Sequence, residues 1–176
     1  MLRFLHLRHI CHRDVKSDNI LLDRLNGKVW LIDFGVSKLM VDKNVRRNMM
    51  TNTGTCEYKA PEIYEGGKYT EGIDVWALGV VLFEMVEKRL PFNKEYLSDT
   101  IQSIIEIDYE EGEAWHHFSK YARDLLHRIF KPCDKRLSAE AALQHPWFIE
   151  KDCARPIMSV ASEMNLCPSK ETTEEG

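Results

Sequence analysis

Residues 73 to about 88 are apolar on nearly every side of a helix. The run Asp74-Val75-Trp76-Ala77-Leu78-Gly79-Val80-Val81-Leu82-Phe83-Glu84-Met85 leaves water no broad polar face. A helix of that kind is buried in its domain, so the rest of the chain has to surround it. The surrounding elements are legible. Leu2, Leu5 and Phe4 at helical spacing predict the last two turns of a helix over residues 1 to about 8, with a start upstream of Met1. Tyr96 to Ile107 and Ser119 to Phe130 read as amphipathic helices. Ser138 to Gln144 reads as a short one that Ser138 and Glu140 help to start and Pro146 stops. At 176 residues, with 44% hydrophobic and 30% charged content, the chain suits one mainly α domain with a real core.

Two strand signals interrupt the helices. Ile20 to Leu22 and Lys28 to Ile32 predict a hairpin through Asn26-Gly27, a dipeptide that favours positive φ at both central residues of a tight turn. The polar stretch His12-Arg13-Asp14-Val15-Lys16-Ser17-Asp18-Asn19 runs directly into the first strand. The second ends in Asp33-Phe34-Gly35. Such a hairpin presents Asn19 and Asp33 on neighbouring strands, and a loop held at a strand mouth can aim Asp14 rigidly. Asn19 and Asp33 offer oxygen ligands of the sort Mg²⁺ takes when phosphates and water complete its shell. Asp14, flanked by Arg13 and Lys16, can accept or orient the proton of an attacking hydroxyl, while Lys16 offsets charge on a transferring phosphoryl group. These groups fit phosphoryl transfer.

A net charge of −4 gives no basic excess for nucleic acid. No stretch approaches the ~20 apolar residues of a membrane span. The five cysteines are odd in number and form no C-x-x-C pair, which predicts a reducing compartment, the cytoplasm with the nucleus as alternative, and no structural zinc. Residues 1 to 9 are apolar and basic but lack the apolar core and cleavage site of a signal peptide, so a buried helix end is the better reading. His116-His117 reads as a solvated pair, and Trp147 and Phe148 as core anchors.

Taken in order, His12-Arg13-Asp14-x-Lys16-x-x-Asn19, Asp33-Phe34-Gly35 and Ala60-Pro61-Glu62 resemble the signature of eukaryotic protein kinases. The resemblance covers about residues 1 to 149. It implies the helical C-terminal lobe of that fold, with a small β-hairpin at the catalytic loop, followed by a weakly ordered tail over 150 to 176. It also implies ATP and Mg²⁺ as cofactors and a protein Ser/Thr hydroxyl as acceptor. In that scheme Asp14, Lys16, Asn19 and Asp33 are catalytic, Asn19 and Asp33 hold the metal, and Leu21 joins Lys16, Asn19 and Asp33 at the nucleotide as adenine floor. Residues 36 to 59 become an activation segment. A phosphate on Thr51, or failing that Thr53, would pair with Arg13 and Lys38, and Thr55 would bond the catalytic loop.

The structural residues that the resemblance implies are His12 packed under Phe34, Gly35 beside it, Asp74 bonded to the catalytic-loop backbone, and a buried Glu62–Arg136 pair. Lys16, two residues after Asp14, and Thr55 point to serine/threonine rather than tyrosine kinases. Trp115, Ser119, Ala122, Asp124, Leu125, Arg136 and His145-Pro146-Trp147-Phe148 are similar to the calcium/calmodulin-dependent and calcium-dependent kinases. Glu84 stands where some basophilic kinases bind a substrate arginine.

The 176 residues contain no Gly-x-Gly-x-x-Gly loop and no Val-Ala-x-Lys strand. The expectation is therefore half a cleft, with the N-terminal β-rich lobe absent and the chain alone inactive. The alternative to a serine/threonine kinase catalytic part is an inactive lobe that binds substrates or partners. In the tail, Ile157, Met158, Val160, Ala161, Met164 and Leu166 predict one or two amphipathic turns. Docking on the core and a regulatory partner are alternative uses for them.

Overall fold

The computed structural model describes residues 1–40, 56–66 and 69–149. Thr51, Thr53, Thr55 and the tail 150–176 lie outside the described residues. Along the chain come α1 (Leu2–His6), β1 (Ile10–Cys11), β2 (Ile20–Asp23), β3 (Lys28–Leu31), β4 (Lys38–Leu39), α2 (Pro61–Tyr64), α3 (Gly72–Glu87), α4 (Leu97–Glu106), α5 (Lys120–Ile129), α6 (Ala139–Leu143) and α7 (Pro146–Ile149). Short 3-10 turns occupy Ser17–Asn19, Cys56–Tyr58 and Glu113–His117. The fold is mainly α.

Helix α3 is the centre, as its apolar surface requires. Val75, Trp76, Val80 and Phe83 on it are almost wholly buried. Trp76 stacks on Phe92 with ring centroids 5.3 Å apart and meets Phe130 at 4.8 Å, and Phe92 and Phe130 both meet Tyr109 edge-on. Gly79 allows α5 to close on α3, since a Cβ there would lie 2.4 Å from Ile129 Cγ2. Helices α5 and α6 begin at serine caps: Ser119 Oγ accepts from the Ala122 N–H at 3.2 Å and Ser138 Oγ from the Ala141 N–H at 3.1 Å. Helix α3 ends on Lys88 in the left-handed region.

Strands β2 and β3 pair antiparallel with Ile20 opposite Leu31 and Asp23 opposite Lys28. Four residues therefore link them, and only Gly27 of the link has positive φ (66°), so the two-residue Asn26-Gly27 turn is corrected to a longer loop. The cause is local side-chain bonding: Asp23 Oδ1 accepts from the Leu25 N–H and Asn26 Oδ1 from the Lys28 N–H, both at 2.9 Å. A second pair, β1 with β4, joins Ile10 to Leu39 and Cys11 to Lys38.

Pro146 does not terminate α6, which already ends at Leu143. It opens α7 instead, where its missing N–H costs nothing. Trp147 is partly buried against the core, but Phe148 is 51% exposed and is no anchor among the described residues. In α1, Leu5 is buried while Phe4 is exposed.

Candidate active site

Asp74, at the start of α3, organises the loop before β2. Its carboxylate is 1% exposed and accepts from the backbone N–H of His12 and of Arg13, each at 2.8 Å, and from His6 Nε2 at 2.9 Å. Those bonds hold Arg13 at φ 71°, a left-handed conformation that a side chain with a Cβ resists. Next to it, His12 is fully buried and donates from Nε2 to the Ile32 carbonyl at 3.0 Å. Its Nδ1 accepts from the Asp14 N–H at 3.4 Å. Phe34 meets the His12 ring edge-on at 4.7 Å. Gly35 donates its N–H to Asp33 Oδ1 at 3.1 Å.

Lys16 and Asn19 converge on one carboxylate oxygen of Asp14. Asp14 Oδ2 receives Lys16 Nζ at 3.0 Å and Asn19 Nδ2 at 2.9 Å, and Asn19 Nδ2 also donates to the Asp14 carbonyl at 2.8 Å. With its amide nitrogen spent inside the loop, Asn19 keeps Oδ1 for another partner. The Ile32 N–H donates to the Asn19 carbonyl at 2.9 Å, which fastens the loop one residue before Asp33, itself at φ 60°. Leu21 lies on β2 opposite Trp30 and is 49% exposed.

In the β1–β4 pair Lys38 stands opposite Cys11, two residues before Arg13 in the chain. Burial, followed by the nearby Asp74 carboxylate, pushes the Cys11 thiol far above its usual range and makes it inert. Glu62 and Arg136, 74 positions apart, form a two-pronged pair at 2.7 and 2.9 Å, and Arg136 also donates to the carbonyls of Gly72 and Lys131.

Two contacts at the site carry no sequence signal. His6 reaches Asp74 from 68 positions away. Tyr58 donates its hydroxyl to Glu84 at 2.6 Å and lies 3.2 Å from Ser17 Oγ, so Glu84 is already hydrogen-bonded. Burial first, and then that carboxylate, push the Tyr58 hydroxyl up to about 12, so it remains a donor at neutral pH. No group of three or more metal-binding side chains occurs among the described residues. No described helix is long and apolar enough to cross a membrane.

The protein kinase domain family matches residues 1–148. Serine/threonine-protein kinase H1 homolog of Danio rerio is 34% identical over 151 residues, covering 84% of this chain and 36% of that protein. Protein kinase C delta type of Homo sapiens is 37% identical over 149 residues, covering 84% of this chain and 21% of that protein. Calcium/calmodulin-dependent protein kinase cmkB of Emericella nidulans is 34% identical over 149 residues, covering 82% of this chain and 37% of that protein. The chain thus spans well under half the length of these relatives. With the motif order, the buried central helix and a family match over most of its length, the chain belongs to the eukaryotic protein kinases.

Proposed function

We propose that this chain is the helical C-terminal lobe of a serine/threonine protein kinase and carries the metal-binding and hydroxyl-orienting half of its active site. The reaction would transfer the γ-phosphoryl group of ATP to a Ser or Thr hydroxyl of a protein. The observation that carries this reading is the shared anchoring of Asp14, Lys16 and Asn19 at one carboxylate oxygen, within 3.0 Å, in a loop pinned by Asp74.

The donor set fits Mg²⁺: Asn19 offers an amide oxygen, Asp33 a carboxylate, and the Ile32–Asn19 backbone bond ties their segments together. Bound Mg²⁺–ATP supplies the phosphoryl group and neutralises charge on its oxygens. Asp14 Oδ2 is occupied by Lys16 and Asn19, so Oδ1 is the oxygen that would receive the hydroxyl proton of the substrate. The Lys16 ammonium, on a side chain only 19% exposed at the same carboxylate, would offset charge beside the acceptor. Leu21, half exposed on β2, would lie under the adenine. Arg13 and Lys38 would read a phosphate on Thr51 or Thr53, with Thr55 against the catalytic loop.

The test joins residues 1–176 behind the glycine-loop lobe of a relative and assays transfer to a generic basic protein with phosphoamino-acid analysis. Asp14→Asn and Asp33→Ala should each lower transfer by about 10²–10⁴-fold, with label on serine and threonine. Activity within about tenfold of the parent in both variants would overturn the assignment.

A further inference from the structure

The Tyr58 hydroxyl has one proton and two oxygen neighbours. The Glu84 carboxylate, at 2.6 Å, takes that proton because an ionised acceptor makes the stronger bond. At the 3.2 Å contact Tyr58 is therefore the acceptor and Ser17 Oγ the donor. The bonds run in one direction, from Ser17 through Tyr58 to Glu84. They join three segments far apart in sequence: the turn Ser17–Asn19 of the catalytic loop, the turn Cys56–Tyr58, and helix α3. Resting on the kinase reading above, we propose that Ser17 is a positioning residue for the polypeptide acceptor, holding the turn at residues 56–59 against the catalytic loop through Tyr58 and Glu84.

The two substrates would feel this relay differently. Asn19 and Asp33, on the metal side, are held by other bonds: Asn19 Nδ2 donates to Asp14, and the Ile32 N–H donates to the Asn19 carbonyl. Ser17 lies three residues after Asp14, so a polypeptide that brings its hydroxyl to Asp14 has the turn fastened by Ser17 as its neighbour. Loss of the Ser17 hydroxyl loosens that neighbour and leaves the nucleotide side in place. The change is also mild for the fold. Ser17 is exposed, and the Tyr58 ring stays buried and bonded to Glu84.

In the chimera described above, Ser17→Ala should raise KM for the protein acceptor about three- to tenfold, the loss expected for one hydrogen bond. KM for ATP and kcat should stay within about twofold. Ser17→Thr keeps the hydroxyl and should restore the parent value. Tyr58→Phe should raise the acceptor KM at least as far, and adding Ser17→Ala to it should change nothing more, because the two act as one unit. Hydrogen exchange on the 176-residue chain reads the same relay without activity. The Lys59 amide, bonded to the Cys56 carbonyl at 3.0 Å, should exchange at least about threefold faster in Ser17→Ala, with α3 amides unchanged. An unmoved acceptor KM, an equal rise in KM for ATP, effects of Ser17→Ala and Tyr58→Phe that multiply, or an unchanged Lys59 amide would each overturn the proposal. If the parent chimera transfers no phosphate, the kinase reading fails and the Lys59 amide alone decides whether Ser17 holds the turn.

Discussion

Replacing Arg136 by methionine should be among the most damaging single changes outside the apolar core. The Arg136 side chain is 1% exposed and satisfies Glu62, itself 7% exposed, through two bonds at 2.7 and 2.9 Å. It also donates to the Gly72 carbonyl at 3.0 Å and to the Lys131 carbonyl, and its guanidinium lies over the Trp76 ring at 4.9 Å. Methionine would keep most of the packing against Trp76 but strand a buried carboxylate, at a cost of about 3–5 kcal/mol. Glu62→Met strands the guanidinium less completely, because the two carbonyls remain, and should cost about 2–4 kcal/mol. In the double variant no buried charge is left, so its loss should fall at least about 2 kcal/mol short of the sum of the single losses. Urea unfolding at constant slope reads all three values, and a loss of 3 kcal/mol moves the midpoint by about 1–3 M. If the two single losses simply add, the pair is not coupled and the reasoning fails.

Gly79→Ala should destabilise by about 1–3 kcal/mol, visible in a thermal scan, because the new Cβ meets Ile129 at 2.4 Å. Asp74→Asn keeps the shape but presents N–H to a backbone donor, so about 1–3 kcal/mol should be lost. Amides of His12 and Arg13 should then exchange faster. The Asp124 carboxyl is held below its ordinary value of 3.8, chiefly by the hydrogen bond from His145. A lowered carboxyl contributes stability above its unfolded value and loses it as pH falls through the folded value. The gap between parent and Asp124→Asn should therefore shrink as pH falls below about pH 4. Its size stays small because Asp124 is 46% exposed.

Much of the fold could be read from period and caps. The apolar run of α3, the amphipathic spacing of α4 and α5 and the serines at 119 and 138 are local signals, and local backbone preference agrees with burial there. The loop carrying Asp14 and Asn19 and the edge carrying Asp33 were legible for a similar reason: polar stretches abut strand-like runs. What escaped depends on partners distant in sequence. Nothing near His6 announces Asp74, nothing near Tyr58 announces Glu84, and β1 and β4 are too short, at two residues each, to alternate. The hairpin turn was misread because side-chain bonds from Asp23 and Asn26 outweighed the Asn-Gly preference. Phe148 was misplaced because an aromatic beside a tryptophan says nothing about which of the two faces inward.

The small β1–β4 pair closes the chain around the site. By setting Cys11 against Lys38 it makes residues 12–37 a closed ring, and Asp14, Lys16, Asn19 and Asp33 all lie on that ring. The entropy of ring closure is charged once, grows only slowly with ring size, and is shared by all four side chains. A change that unfastens this two-residue clasp would blur the geometry of the whole set together, though it lies beside none of them in sequence.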